Sequence, residues 1–274
     1  MSAVQVGSWR AVGLRVGAIS RRQWYVALRS PHRLFDLTVW PLVDAFLFGS
    51  LAVFFQQAAG GAAARTGAGY LLAGIVLWHV VYQAQISVAT GVLEETWSRN
   101  LLSLLVTPVR ELEFVAGVAL FGLLKLAVGV GVVAAVAAGM YAFDITDLGL
   151  GLVPVVVILL AAGWAIALVV VGMVLRFGTG AEVLAWGILF AILPLSGVFY
   201  PLDALPAVVR PVASILPTTH AFAVARALVE GRPMPWGQLG VAALTTLGAL
   251  AAGLAFVAWM LRVFRRRGYI TRYM

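Results

Sequence analysis

The sequence predicts an all-α integral membrane protein with six transmembrane helices, an N-terminal interfacial helix and a re-entrant helical hairpin on the extracellular side. Three observations carry this. Hydrophobic residues fill 62% of the 274 positions and charged ones only 11%, with a mean hydropathy of +1.00, whereas a soluble domain is about half apolar and about a quarter charged. Six apolar runs have the length needed to cross a bilayer. The arginines gather near the two ends of the chain instead of spreading over a surface.

A hydrocarbon core of about 30 Å takes roughly 20 helical residues, and apolar runs of that order occupy residues 35–55, 70–92, 114–140, 150–174, 181–198 and 237–261. They read as helices because lipid cannot satisfy exposed backbone groups and none shows the strict alternation of a barrel strand. Before the first run, residues 13–30 fit a helix lying on the membrane surface. Arg15, Arg22 and Arg29 recur at heptad spacing on one face, with Val16, Trp24 and Leu28 roughly opposite and Ile19 and Val26 interrupting the stripe. Pro31 is expected to end that helix and turn the chain into the bilayer. The arginine-rich stretch is too long for a cleavable signal, and no small-residue cleavage site follows a short apolar core. A single domain over residues 1–274 thus divides into a cytoplasmic amphipathic segment (1–34), the six spans (35–261) and a basic cytoplasmic tail (262–274).

An even number of spans puts both termini on one side. With the termini inside, fourteen arginines fall on the cytoplasmic side and only Arg65, Arg210, Arg226 and Arg232 outside, so the positive-inside rule selects cytoplasmic termini in a cytoplasmic or plasma membrane. After the fifth run, Pro201, Pro206, Pro211, Pro217, Pro233 and Pro235 punctuate a stretch too broken to span and too apolar for a solvated loop. Residues 203–216 and 218–231 read as two short helices dipping into the outer leaflet and lining an exit, since irregular backbone at that depth needs protein or water around it.

Several chemistries are excluded. The net charge of +8 follows membrane topology and not a phosphate-binding surface, so no nucleic acid is expected. With no cysteine there is no disulfide or thiolate metal site. A Walker A loop needs a lysine after a glycine-rich turn, but the sole lysine stands in Leu124-Lys125-Leu126. His32, His79 and His220 share no zinc-ligand spacing. Glu94-Glu95-Thr96-Trp97-Ser98-Arg99 reads as E-E-x-x-x-R, which resembles the first motif of CAAX-type intramembrane proteases. That family also requires Phe-x-x-x-His, and the residues four before the three histidines are Leu28, Ile75 and Leu216.

A second resemblance covers nearly the whole chain. The stretch EETWSRNLLSLLVTPVRELEFVAG, residues 94–117, is similar to the loop between the second and third helices of ABC type 2 permeases, the membrane subunits of drug, lipid and polysaccharide exporters. Arg176 to Glu182, Pro194 to Pro201, Leu205-Pro206, Leu216-Pro217-Thr218-Thr219-His220 and Arg226 resemble that family's carboxy-terminal signature. The resemblance implies a cytoplasmic coupling helix that docks on an ATPase, with Glu94, Glu95, Trp97, Arg99, Asn100, Leu104, Leu105, Thr107 and Pro108 as its coupling residues. The Gly-Thr-Leu-Glu common in the middle of that loop is replaced here by Trp97-Ser98-Arg99-Asn100. It implies further that Phe199, Tyr200, Pro201, Pro217, Thr218 and His220 belong to the re-entrant hairpin. The chain itself would carry no cofactor and no metal, ATP and magnesium being bound by two copies of a separate ATP-binding subunit. A second copy of the chain would complete the pathway as a homodimer, a related permease being the other possibility.

Charges within the spans add a candidate pathway. Asp44 and Lys125 lie about 13 Å and about 16 Å from the cytoplasmic starts of their helices at about 1.5 Å per residue, and each is costly unless paired or hydrated. They are expected to face the protein interior as a pair or in a shared polar cavity, with His79 and Gln83 one turn apart on the second span. The expected function is ATP-driven export of an amphipathic drug, a lipid or a lipid-linked glycan. An ion-coupled secondary transporter and an intramembrane protease are the alternatives from other classes.

Overall fold

The computed structural model describes residues 9–59, 61–97 and 111–267. Among these residues the chain forms nine α-helices and no strand: α1 Trp9–Leu28, α2 Pro31–Ala59, α3 Gly61–Trp97, α4 Glu111–Tyr141, α5 Leu152–Phe177, α6 Glu182–Leu195, α7 Arg210–Ile215, α8 Pro217–Val229 and α9 Trp236–Arg267. Shorter 3-10 turns occupy Ile145–Gly151, Gly178–Ala181 and Leu202–Ala204.

Five helical segments are long and apolar enough to cross a membrane: Thr38–Ala58, Thr66–Glu94, Glu113–Tyr141, Ile145–Phe177 and Trp236–Val263. They match five of the six expected spans. The remaining one, residues 181–198, is instead a 14-residue helix, α6. At 1.5 Å per residue it is about 21 Å long, short of the about 30 Å of hydrocarbon. Its length is set at both ends by residues the apolar composition conceals. The 3-10 turn Gly178–Ala181 opens with Gly178 at φ 65°, and beyond Pro194 the chain turns at Gly197, φ 60°. A side chain at either glycine would be strained.

The downstream hairpin is also less helical than the sequence suggests. Of residues 203–216 only the end of the 3-10 turn and the six-residue α7 are regular; Pro206 breaks the run, and Pro211 stands in the first turn of α7, where its fixed φ fits. Pro217 then starts α8, where its fixed φ and missing N–H suit the first turn.

Helix α3 is the centre of the bundle. It packs against α2, α4, α5, α6 and α8, while α9 lies along α5 and α8, and α1 along α4. In its most apolar stretch 89% of residues are buried, against 22% for α2 and for α9. Large side chains such as Phe46, Phe54, Leu244 and Leu247 point outward from α2 and α9, as a lipid-facing surface requires. One packed cluster joins Leu72, Trp78, Leu159, Phe222 and Leu239 near one end of the bundle. The other joins Ile19, Leu93, Phe114, Leu175 and Met260, so α1 and the far end of α9 share the opposite end.

The α3–α5 contact depends on Gly163, where an added Cβ would sit 2.6 Å from the Ala84 Cβ and 2.7 Å from the Val81 carbonyl oxygen. Backbone cannot retreat as a side chain can, so the helices must part. Gly163→Ala is therefore expected to destabilise the bundle by about 1–3 kcal/mol, the usual cost of overpacking. Gly131→Ala, whose Cβ would meet nothing within 4 Å, should leave it unchanged or slightly more stable. Thermal melts of the two purified variants check this.

Candidate functional site

A cavity of about 930 Å3 opens between α1, α2, α3, α4 and α6. It runs along the buried face of α3 from Glu94 and Leu93 at one end to Ile75 and the neighbouring Phe199 at the other. Rings from every bordering helix form its wall, among them Trp24, Trp40, Tyr82, Phe121 and Trp186, and Phe48 stacks on Phe199 with centroids 4.4 Å apart.

Three of the four expected intramembrane polar residues, Asp44, Gln83 and Lys125, are on this lining. His79 is not. It is buried behind the wall with 1% exposure, its Nδ1 3.3 Å from the Ile75 carbonyl oxygen and its Nε2 3.7 Å from Asp44 Oδ2. The ionisable group the structure sets beside Asp44 is therefore His79 of α3. Sequence depth, which pointed to Lys125, gives height in the membrane but not azimuth around a helix. Gln83 packs under Gly129 of α4, where a Cβ would come within 2.7 Å of its Nε2.

The polar run that continues along α3 was not among the residues expected from the sequence. Gln85 is fully buried and donates from Nε2 to the Ala185 carbonyl of α6 at 3.1 Å. Ser87 and Thr90 line the cavity one and two turns on from Gln83, and Thr90 donates to the Ile86 carbonyl at 2.7 Å. Their alternation with Ile86 and Val88 was a signal available in the sequence.

At the Glu94 end, α1 is held by an ion pair. Arg15 donates from Nε and Nη2 to the two carboxylate oxygens of Glu113 at 2.8 and 2.6 Å. This two-pronged geometry fixes orientation as well as charge, and the hydrogen bond to Glu113 holds the Arg15 guanidinium above its ordinary range. The helical stripe Ala11, Arg15, Ile19 and Gln23 faces α4, with Ile19 against Gly117. Thus Arg15 departs from the exposed face that Arg22 and Arg29 keep, and Ile19 is the contact residue and not an interruption of the stripe. Of the expected coupling residues, Glu94 lines the cavity, and Glu95 and Trp97 fall in the last turn of α3. Arg99, Asn100, Leu104, Leu105, Thr107 and Pro108 lie outside the described residues, as does the helix expected there.

At the other end, the hairpin satisfies the exposed terminus of α6. The last carbonyls of a helix have no internal partners. Here Thr219 Oγ1 donates to Leu195 O at 3.2 Å, Tyr200 Oη to Pro194 O at 2.7 Å, and buried Arg226 to Gly197 O. Ser196 and Thr218 join their hydroxyls at 2.6 Å, and His220 Nε2 meets Ser214 O at 2.8 Å. Pro201 precedes the 3-10 turn and Pro217 opens α8. Arg226, counted in sequence as an outer-side charge, is 9% exposed and serves as an internal clamp. Glu230 ties the end of α8 to α3 by accepting from Tyr70 and pairing with Arg232. Among the described residues no group of three or more His, Asp or Glu side chains comes together as a metal site would need.

The family profile described as ABC-2 type transporter matches residues 15–229. No curated protein matches the chain.

The Arg15–Glu113 geometry makes a reciprocal expectation. Arg15→Glu or Glu113→Arg alone should release α1 from α4, seen as faster proteolysis within residues 9–28, and the double exchange should restore protection.

Proposed function

The chain belongs to the ABC-2 type transporter family, as a non-catalytic membrane permease, and on that premise we propose that it carries an amphipathic substrate outward across the cytoplasmic membrane, driven by a separate ATP-binding subunit. The observation that carries this reading is the cavity along α3. It is large enough for an organic molecule, walled by rings from several helices and furnished with a few polar groups, the usual character of a small-molecule site.

In this reading both termini are cytoplasmic, which agrees with the shared end of α1 and α9 and with the arginine count. The short helix α6 and the hairpin that finishes its hydrogen bonds form the outer wall of the pathway. Two copies of the chain and two ATP-binding subunits make the transporter, and residues 94–108 form the coupling element. ATP and magnesium are held by the partner, since the chain lacks a phosphate-binding loop around its single lysine.

Mechanically, a push on the coupling element reaches α3 through its last turn and α4 through its first. Because Arg15 grips Glu113 only two residues into α4, α1 moves with α4 as one lever. The cavity lies between those helices and α2 and α6, so their displacement changes its width and exposure. Nucleotide occupancy in the partner stabilises one arrangement over the other, which is what alternating access demands.

Replacing Glu94 and Glu95 together should abolish the stimulation of ATP hydrolysis that the assembled complex shows, while membrane insertion persists. Unchanged stimulation would contradict the coupling role. Substrate transport in vesicles by the purified chain alone, under an ion gradient, would favour a secondary transporter instead.

A further inference from the structure

Resting on the permease reading, we propose that the cavity binds a lipophilic organic cation bearing aromatic groups, with Asp44 as its counter-charge. Three features of the lining select this class among amphipathic substrates.

The first is charge. The carboxylates of Asp44 and Glu94 line the cavity against the one ammonium of Lys125. Among the described residues no arginine is on the lining. Phosphate and pyrophosphate head groups are ordinarily gripped by guanidinium forks or several lysines, and the described lining residues form no such grip for a lipid phosphate or a lipid-linked glycan.

The second is the state of Asp44. Its side chain is 38% exposed, and its approach to His79 at 3.7 Å is beyond hydrogen-bonding distance. Among the described residues no hydrogen bond to this carboxylate is formed. The oxygens therefore keep their lone pairs for whatever enters the cavity, and a cation there would meet an acceptor that no hydrogen bond already occupies.

The third is the wall. Trp24, Trp40, Tyr82, Phe121, Trp186 and Phe190 contribute ring surface, and ring faces attract cations through their quadrupole, most strongly where water is excluded. The volume, about 930 Å3, lies within the about 300–1,000 Å3 usual for sites that enclose drug-sized ligands. A polymer segment would need a continuous groove lined by many hydrogen-bonding groups.

Tetraphenylphosphonium and tetraphenylborate test this directly, since they share size, shape and ring surface and differ in the sign of the charge. The full chain in nanodiscs of phosphatidylcholine, a net-neutral lipid, is dialysed against labelled tetraphenylphosphonium, with empty nanodiscs subtracted. Saturable binding is expected, with little competition from tetraphenylborate, and Asp44→Asn should weaken it by about tenfold or more. Equal competition by the borate, no saturable binding, or an unchanged affinity in Asp44→Asn would overturn the proposal. Should Asp44→Asn fail to fold, the preference of the unaltered chain between the two ions decides alone. The readout needs no ATPase. Absent cation binding in a chain whose partner is still stimulated would refute the substrate class and spare the permease reading, whereas lost stimulation with cation binding intact would do the reverse.

Discussion

A polar helix cannot be left in contact with lipid, and that constraint organises this molecule around α3. The helix carries His79, Gln83, Gln85 and Ser87 within three turns, each at most 5% exposed. Every one of these groups would be expensive in hydrocarbon without a partner. The other helices meet the need by sheathing α3 on all sides, and the small residues that permit it stand at the points of contact. Gly163 lets α5 approach the Val81 carbonyl, and Gly122 and Gly129 let α4 close over Ser87 and Gln83. Without a hydrophobic force to drive helices together in lipid, such close packing and such hydrogen bonds are what remains. The sheath is incomplete only along the cavity, where polar groups of α2, α3 and α4 meet a space wide enough for a ligand.

The same constraint explains the hairpin end of the bundle. A helix too short to cross leaves its carbonyls at a depth where water is scarce. The hairpin after α6 supplies donors for two of them from Tyr200 and Thr219, and Arg226 donates to the Gly197 carbonyl just beyond. The proline-broken segment is thus held because its side chains complete another element's backbone, which joins α6 and α8 into one unit. At the opposite end of the bundle the Arg15–Glu113 pair fastens α1 to α4.

How much of this was legible follows from what one-dimensional patterns encode. Apolar length located α2, α3, α4, α5 and α9, because the bilayer imposes a length whatever the packing. It overestimated α6, since Leu195, Val198 and Phe199 are as apolar as a span, and only the positive φ at Gly197 shows that the helix has ended. Depth placed Asp44 and Lys125 at similar levels, and both line one cavity, yet the group beside Asp44 is His79 of a neighbouring helix. Rotation about a helix axis is fixed by tertiary contacts and leaves no trace in hydropathy. The same holds for Arg15 and Arg226, which read as surface charge and turn out to be a two-pronged partner and a buried clamp. The stretches ending in Pro201 and holding Pro217 to His220, singled out by resemblance, meet at the end of α6, where Thr218 bonds Ser196 and Thr219 bonds the Leu195 carbonyl.

The central claim is that α3 is shielded from lipid while α2 and α9 face it. Photolabelling in a bilayer of phospholipids carrying diazirine groups in their acyl chains, followed by mass spectrometry of the peptides, tests it without altering the protein. The account predicts adducts on α2 and α9, at side chains such as Phe46, Phe54, Leu244 and Leu247, and none on residues 72–89 of α3. Adducts recurring along that stretch of α3 would contradict it.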